Sequence, residues 1–208
     1  MNISKFCSIK RWGGVICMLV NYLPNKIRFK EWHLRSRIIK PLMITPECIS
    51  VGNHVVVLNN CRIQGVKQYN NATYNPEIVL EDGVSIQQAL HLTCANKIVI
   101  GKNTAIAAHV TITDIHHPYT NINIPIEHQD IEVSEVVIGE DCKIYNGAVI
   151  LPGVHIGRHV TVGANAVVNI NIPDYCVAVG SPAKIIKRYN EETQRWAETD
   201  KHGSFIEK

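Results

Sequence analysis

Two adjacent histidines are the side chains of this chain best suited to proton-transfer chemistry. They are His116 and His117, and Pro118 follows them directly. An unperturbed imidazole has a pKa of about 6.5, so near pH 7 it is mostly neutral and can accept a proton. Either Asp114 or a backbone carbonyl could fix the tautomer of such a base. We therefore expect a general base in this segment, with Asp114 as the candidate orienting residue.

The rest of the chain gives little support to other catalytic chemistries. It has seven cysteines but neither a CxxC pair nor a GxSxG motif. A zinc knuckle, a disulfide framework and a serine-nucleophile elbow are therefore not indicated. Unpaired cysteines favour a reducing compartment, so we expect a cytoplasmic protein. A zinc site of His109 with His116 or His117 is an alternative that the spacing does not favour, and we expect no metal requirement.

A six-residue period predicts how these side chains are positioned. It runs without a break through Ile138, Ile144, Ile150, Ile156, Val162 and Val168. Upstream it runs through Ile112, Ile106 and Ile100, continues beyond a two-residue insertion through Leu92, Ile86 and Leu80, and is fainter at Ile63, Val57, Val51 and Ile44. Six fits neither a helix at 3.6 residues per turn nor a strand alternation of 2.0. Three short strands with tight turns would close a coil of about 18 residues, and five or six stacked coils would give a rod roughly 25–30 Å tall. Small residues four places after each period position, Cys61 and Cys142 among them, would fill the interior.

Other segments flank or interrupt this mainly β region. Residues 1–40 carry nine Lys or Arg against one acid, Glu31, and include the apolar run Val15–Val20, which is too short to span a bilayer. We expect a helix there, packed on the domain or on an anionic membrane surface with help from Trp12, Tyr22 and Trp32. We expect the β-helix over residues 41–189, an extruded loop over 118–135 where the period stops, and a short C-terminal helix over 190–208, anchored by Trp196.

Three stretches carry a family resemblance. They are Ile112–Pro118 with its His before Pro, the segment PGVHIG at 152–157, and GSPAK at 180–184. Over roughly residues 75–190 the chain resembles the hexapeptide-repeat acyltransferases, and within them the branch that acetylates sugars, such as maltose, galactoside and O-antigen acetyltransferases. The resemblance implies a left-handed parallel β-helix and a homotrimer with active sites between subunits.

The resemblance also implies roles for residues at the acceptor side. It favours His117 over His116 as the base that activates the acceptor for direct attack on the acetyl thioester of acetyl-CoA. Gln87 and Lys143 stand at acceptor-binding positions where many members have Asn and Trp. Tyr119, in the extruded loop, is suited to lining a sugar site.

On the donor side, the resemblance implies a coenzyme A site on the later coils. Backbone amides near Asn146 and Ala164 would bind the thioester and pantetheine region, and Asn169 would lie further along the arm. Lys184 and Lys187 would meet the nucleotide phosphates, which basic side chains suit.

These observations together predict an acetyl-CoA-dependent O-acetyltransferase acting on a cell-surface polysaccharide sugar, peripheral to the inner face of the membrane. An N-acetyltransferase for a nucleotide-linked amino sugar is the alternative within this class. A non-catalytic β-helix scaffold and a metal-dependent hydratase are alternatives of other classes. The net charge of +3 is too small to indicate a nucleic-acid partner.

Overall fold

Three parallel sheets form the faces of a β-helix in the structure, a computed structural model that describes residues 22–206. A helix covers residues 22–28. The first sheet contains β1 (Glu31–Trp32), β4 (Ile49–Val51), β9 (Glu77–Leu80), β12 (Lys97–Ile100), β17 (Val136–Ile138) and β20 (His155–Ile156). The second contains β2 (Arg37–Ile38), β5 (Val56–Val57), β10 (Ser85–Ile86), β13 (Ala105–Ile106), β18 (Lys143–Ile144), β21 (Thr161–Val162) and β23 (Cys176–Val179). The third contains β3 (Met43–Ile44), β6 (Arg62–Gly65), β11 (His91–Cys94), β14 (Thr111–Thr113), β19 (Val149–Ile150) and β22 (Val167–Val168). Two 3-10 turns cover Pro46–Cys48 and Ile126–His128.

Side chains at the six-residue positions stack on one another inside the β-helix. The stack of the first sheet consists of Val51, Leu80, Ile100, Ile138 and Ile156, paired in register and at most 2% exposed. The other two sheets hold equivalent stacks. A strand and the turn after it take six residues, so one side chain in six points into the β-helix. Every third of these inward side chains joins the same stack, as Ile138 and Ile156 do, 18 residues apart. The predicted parallel β-helix is confirmed, with six complete coils within residues 22–206.

Small residues fill the corners of the β-helix as predicted. Thr104, Val110, Cys142 and Ala166 are all buried, and Cys61 is buried as well. A glycine often follows the period position because the turns of successive coils touch. A Cβ atom on Gly139 would lie 2.6 Å from the carbonyl carbon of Gly157, so a larger residue would push the two coils apart.

The β-helix begins earlier than the predicted boundary at residue 41. The first coil already starts at β1, and Trp32, Ile38 and Ile44 keep the six-residue spacing. Trp32 is buried with its ring 4.7 Å from that of Phe29, so it belongs to the core and not to a membrane interface. The helix over residues 22–28 agrees with the predicted helical segment. Val15–Val20 and Trp12 lie outside the described residues.

The predicted C-terminal helix is wrong. The chain instead forms β24 (Lys184–Asn190) and β25 (Arg195–Glu198), which extend the second sheet as antiparallel strands after β23. The Asn190 side chain accepts hydrogen bonds from the backbone N–H groups of Glu192 and Thr193. This pattern fits both a helix start and a tight turn, and the open edge of β23 favours the turn because it offers strand partners. Trp196 contributes to the packing, with its ring 5.8 Å from that of Tyr189.

Two insertions leave the β-helix at the same corner, where the third sheet passes to the first. The shorter one follows β6 and contains the hairpin of β7 (Gln68–Tyr69) and β8 (Ala72–Thr73). The longer one follows β14 and is the predicted extruded loop, closed at its base by β15 (Ile115–His116) and β16 (Glu132–Val133). We call them the short hairpin and the long loop. Two coils separate them along the chain, so a single turn lies between their exits at this corner, and they meet on the outside of the β-helix.

Candidate active site

His117 lies at the base of the long loop, against the short hairpin. Its side chain is half-buried, and its ring meets that of Tyr69 edge-on with 5.3 Å between centroids. The Nδ1 atom of His117 lies 3.5 Å from the Tyr69 hydroxyl. That hydroxyl in turn donates to Glu127, whose Oε2 atom is 2.6 Å away and whose carbonyl oxygen is 3.1 Å away.

This hydrogen-bond geometry assigns the tautomer of His117. The Tyr69 hydroxyl has one proton, and both of its close acceptors belong to Glu127. The hydrogen bond to Glu127 is the main cause that raises the pKa of Tyr69 above its usual value, so the proton stays on the tyrosine. The Tyr69 oxygen is therefore the acceptor in its contact with His117, and in a neutral ring this puts the proton on Nδ1 and the lone pair on Nε2. A neutral imidazole in this state can act as a base at Nε2.

Further hydrogen bonds fasten the short hairpin to the long loop. The Asn70 amide donates to the carbonyl oxygens of Glu127 and Gln129, at 3.1 and 3.2 Å. The Tyr74 hydroxyl donates to the carbonyl oxygen of Ile131 at 3.2 Å. Without the hairpin, the exposed 3-10 turn that carries Glu127 would lose these partners. The short hairpin thus holds the long loop in the position that brings Glu127 to Tyr69.

A cleft of about 500 Å³ opens beside this pair on the outer face of the third sheet. We call it the His117 cleft. Its polar lining comes from strands of three successive coils and from the two insertions. The lining residues are Arg62, Gln64, Val66, Gln68, Tyr69, His91, Thr93, Thr111, Thr113, Ile115, His117 and Ile131. A molecule that entered the cleft would contact His117 in its lining.

Asp114 does not take the predicted orienting role. Its carboxylate is buried and accepts from the backbone N–H groups of Ala95 and Asn96, at 2.8 and 2.7 Å. The Cys94 thiol also donates to it at 3.3 Å, and burial raises the pKa of that thiol. The chain makes a wider turn at residues 95–96 than elsewhere, and Asp114 satisfies the amide groups that this turn leaves open. Tyr69 occupies the position next to His117 that we expected Asp114 to take.

His116 points to a different environment. It is exposed, and its ring lies 6.1 Å from that of Tyr119, itself 66% exposed. Neither residue lines the His117 cleft. The geometry therefore favours His117 over His116 for a role at the cleft, and it leaves Tyr119 outside the cleft of its own chain.

The remaining predicted residues lie away from the cleft of the same chain. Gln87, Asn146 and Ala164 are exposed at the corner between the second and third sheets, where Asn165 donates to the Asn146 carbonyl of the coil before it. Lys143 lies on the outer face of the second sheet, with its amine 5.6 Å from the centre of the Tyr145 ring. Asn169, Lys184 and Lys187 are exposed near the C-terminal end of the β-helix. One chain thus does not bring the predicted donor residues and His117 together.

Metal-ligating side chains do not gather in groups of three or more within residues 22–206. His109 lies at a turn with a φ of 60°, at the corner between the second and third sheets. His116 and His117 lie at the other end of the third sheet, so the zinc grouping considered from the sequence does not form within one chain. The five described cysteines are unpaired and buried. No helix of the described part of the chain is long and apolar enough to cross a membrane.

A parallel β-helix whose inward side chains recur every six residues is a hexapeptide-repeat fold. The family model described as "Bacterial transferase hexapeptide (six repeats)" matches residues 135–169. WbbJ of Escherichia coli K12, whose provisional name is lipopolysaccharide biosynthesis O-acetyl transferase, is 40% identical over 196 residues, covering 90% of this chain and 95% of WbbJ. The chain therefore belongs to the hexapeptide-repeat acetyltransferase family, and the left hand of the β-helix comes with this membership.

Two further similarities are more distant. The galactoside O-acetyltransferase of Escherichia coli K12 is 31% identical over 104 residues, 48% of each chain. Among solved structures, the N-acyltransferase AntD of Bacillus cereus, in complex with dTDP and 3-hydroxybutyryl-CoA, superposes with a TM-score of 0.61. The sequence identity to AntD is 19%, and the match covers 81% of this chain and 87% of AntD, so this likeness concerns the fold.

Sequence reasoning missed Tyr69, Glu127 and Arg62 as site residues. The available signal was the asparagine pair at 70–71, which follows Tyr69 and is typical of a tight hairpin turn. Asn70 has a φ of 49°, as such a turn requires. The contact between Tyr69 and Glu127 spans 58 residues, and no local pattern indicates it.

Proposed function

We propose that this protein transfers the acetyl group of acetyl-CoA to a hydroxyl group of a carbohydrate, with His117 as general base. The observation that carries the proposal is the half-buried His117, which lines the cleft and has its Nδ1 atom toward Tyr69. Nε2 takes the proton of the acceptor hydroxyl while its oxygen attacks the thioester carbonyl carbon. The tetrahedral intermediate then collapses, the C–S bond breaks, and His117 returns the proton to the leaving sulfur.

The proposed acceptor is a sugar of a cell-surface polysaccharide. WbbJ, which matches nearly the whole chain, is named for lipopolysaccharide biosynthesis, and the relative WcaF of Escherichia coli, 26% identical over 137 residues, is named for colanic acid biosynthesis. Both names support a polysaccharide acceptor. An acceptor amine would use the same base, so the acceptor assay below includes amino sugars.

The proposed assembly is a homotrimer with sites shared between chains. The residues predicted to bind coenzyme A, such as Asn146 and Ala164, lie at one corner of the β-helix, and His117 lies at another. Direct attack requires the acceptor oxygen and the thioester to meet within about 3–3.5 Å. Packing of the donor corner of one chain against the His117 corner of a second chain would satisfy this requirement three times in a closed ring.

The proposed location is the surface of an anionic membrane, contacted by the N-terminal end of the β-helix. Leu23 and Ile27 of the helix over 22–28 are 60% and 86% exposed, and Leu42 of the first coil is 74% exposed. Lys26 and Arg28 alternate with them along the helix. An apolar surface bordered by cations suits a headgroup layer, where each cation contributes about 1 kcal/mol.

A coupled assay of acetyl-CoA consumption tests the central proposal. Wild-type protein and His117→Ala are screened against neutral sugars, amino sugars, sugar phosphates and oligosaccharides. We expect wild-type turnover with a hydroxyl acceptor, an O-acetyl product by mass spectrometry, and strong loss in His117→Ala. An N-acetyl product would move the activity to amine acceptors, and equal turnover by both proteins would exclude His117 as the base.

A further inference from the structure

Arg62 lies inside the His117 cleft, on the outer face of β6. Its side chain is half-buried, and its Nε and Nη2 atoms both donate to Oε1 of Gln64, the Nε contact at 2.8 Å. Because both donors converge on one amide oxygen, the guanidinium is held in a fixed orientation along the strand. This arrangement leaves its other N–H groups for a ligand in the cleft.

No acidic side chain lines this cleft, and none of the ion pairs found within residues 22–206 includes Arg62. The other polar lining groups are neutral donors and acceptors, such as Thr93, whose hydroxyl donates to that of Thr113 at 3.0 Å. Burial, and then the charge of Arg62, lower the pKa of His91, so His91 stays neutral near pH 7. Arg62 is the permanent charge of the cleft lining.

A cation that is partly withdrawn from water without an anion is unfavourable, and a ligand anion would compensate it. A guanidinium matches carboxylate and phosphate groups because two parallel N–H donors meet two oxygens. The same lining presents threonine hydroxyls to the rest of a sugar. The ligand that fits this lining is therefore a sugar with a carboxylate or phosphate oxyanion a few atoms from the hydroxyl group to be acetylated.

We propose that Arg62, oriented by Gln64, binds an anionic group of the acceptor, either the carboxylate of a uronic acid or a phosphate on the sugar. This inference rests on the proposed transferase function and narrows its acceptor class. It makes Arg62 a specificity-determining residue and leaves proton transfer to His117.

Calorimetric titration in the presence of coenzyme A tests the binding directly. The probes are methyl β-D-glucuronide, glucose 1-phosphate and neutral methyl β-D-glucoside, and the first two distinguish the two sources of the anion. The proteins are wild type, Arg62→Gln, Arg62→Lys and the control Arg37→Gln, which removes the same charge from the exposed face of β2. Thermal melts of all variants check folding.

For the preferred anionic probe we expect a loss of affinity of about 10- to 100-fold in Arg62→Gln, a smaller loss in Arg62→Lys, and little change in Arg37→Gln. In turnover assays, the ratio of kcat/KM for the anionic probe over the neutral probe should fall by a similar factor in Arg62→Gln. Equal affinity of Arg62→Gln and wild type for both anionic probes would overturn the inference. Anion binding that depends on Arg62, without consumption of acetyl-CoA by wild type, would overturn the transferase proposal and leave the anion site standing.

Discussion

The Tyr69 hydroxyl lies 2.6 Å from the Glu127 carboxylate, and this hydrogen bond joins the two insertions of the β-helix beside His117. The Tyr69 proton is committed to Glu127, so the same oxygen can accept from Nδ1 of His117. The three groups form a chain from carboxylate to tyrosine to histidine. Its consequence is that the orientation of the His117 ring depends on a hairpin that lies outside the repeat.

Replacement of Tyr69 by Phe should lower kcat by roughly 3- to 10-fold, the usual effect of one lost hydrogen bond, with KM for acetyl-CoA unchanged. Tyr74→Phe is the matched control, because it removes a hydroxyl that fastens the short hairpin to Ile131 but does not touch His117. Steady-state kinetics of both variants decide the matter. An equal loss in Tyr74→Phe would mean that Tyr69 stabilises the loop and does not orient His117.

Replacement of His117 by Ala should lower kcat by about 10²–10⁴-fold, the usual contribution of a general base, while coenzyme A affinity stays near that of wild type. His116→Ala should keep most of the activity, since His116 is exposed and outside the cleft. Turnover and coenzyme A binding are measured on both variants. The reverse result, with activity lost in His116→Ala alone, would transfer the role of base to His116.

If the protein is a homotrimer, light scattering should give a particle mass near three times the 23.3 kDa of one chain. The shared site is tested by mixing His117→Ala chains with Lys184→Glu/Lys187→Glu chains, after partial denaturation and refolding together. If each site takes its base from one chain and its donor residues from another, mixed trimers regain activity above that of either variant. A stable monomer with full activity would contradict the proposed assembly.

Lys184 and Lys187, which we predict to contact the phosphates of coenzyme A, should contribute to its affinity in a way that depends on salt. Lys184→Glu and Lys187→Glu should weaken coenzyme A binding about 10-fold or more at low salt, because acids would lie beside phosphates. The loss should shrink as ionic strength rises, since both side chains are exposed. Lys201→Glu is the control for a charge change at another exposed position. Unchanged affinity in both lysine variants at low salt would exclude this donor placement.

Sedimentation with liposomes tests the membrane surface. Wild-type protein should pellet with vesicles that contain anionic lipid and stay in the supernatant with zwitterionic vesicles. Ile27→Asp should reduce the pelleted fraction, because Ile27 is 86% exposed on the proposed contact surface. Ile122→Asp is the matched control, as Ile122 is 92% exposed in the long loop. Equal recovery from both vesicle types would refute the contact.

The repeat itself was predictable because its cause is local. Each period residue, such as Ile106 or Ile138, enters an interior stack through a strand and turn of only six residues. The first coil was missed although Trp32 and Ile38 keep the spacing, since a tryptophan among basic residues does not match the usual repeat pattern. The segment of His117 and Pro118 could be recognised for the same reason, because a histidine directly before a proline is a local pattern.

The parts that sequence analysis did not predict depend on contacts between distant segments. Asp114 was expected beside His117, but the open amides of Ala95 and Asn96 on the preceding coil attract its carboxylate. Likewise the segment after Asn190 has the local signals of a helix, and the free edge of β23 turns it into a strand pair. To predict such contacts, one must know which coils are neighbours in the fold, and a local sequence pattern does not contain that information.

The number of coils between the two insertions sets the distance between the short hairpin and the long loop. The short hairpin leaves after the second coil and the long loop after the fourth, so their exits are separated by two strand spacings, roughly 9–10 Å. Tyr69 and Glu127 together span that gap. An extra coil placed between the exits would add about 4.8 Å and take Tyr69 out of hydrogen-bonding reach of His117, whereas a coil added beyond β22 would lengthen the rod without disturbing this contact.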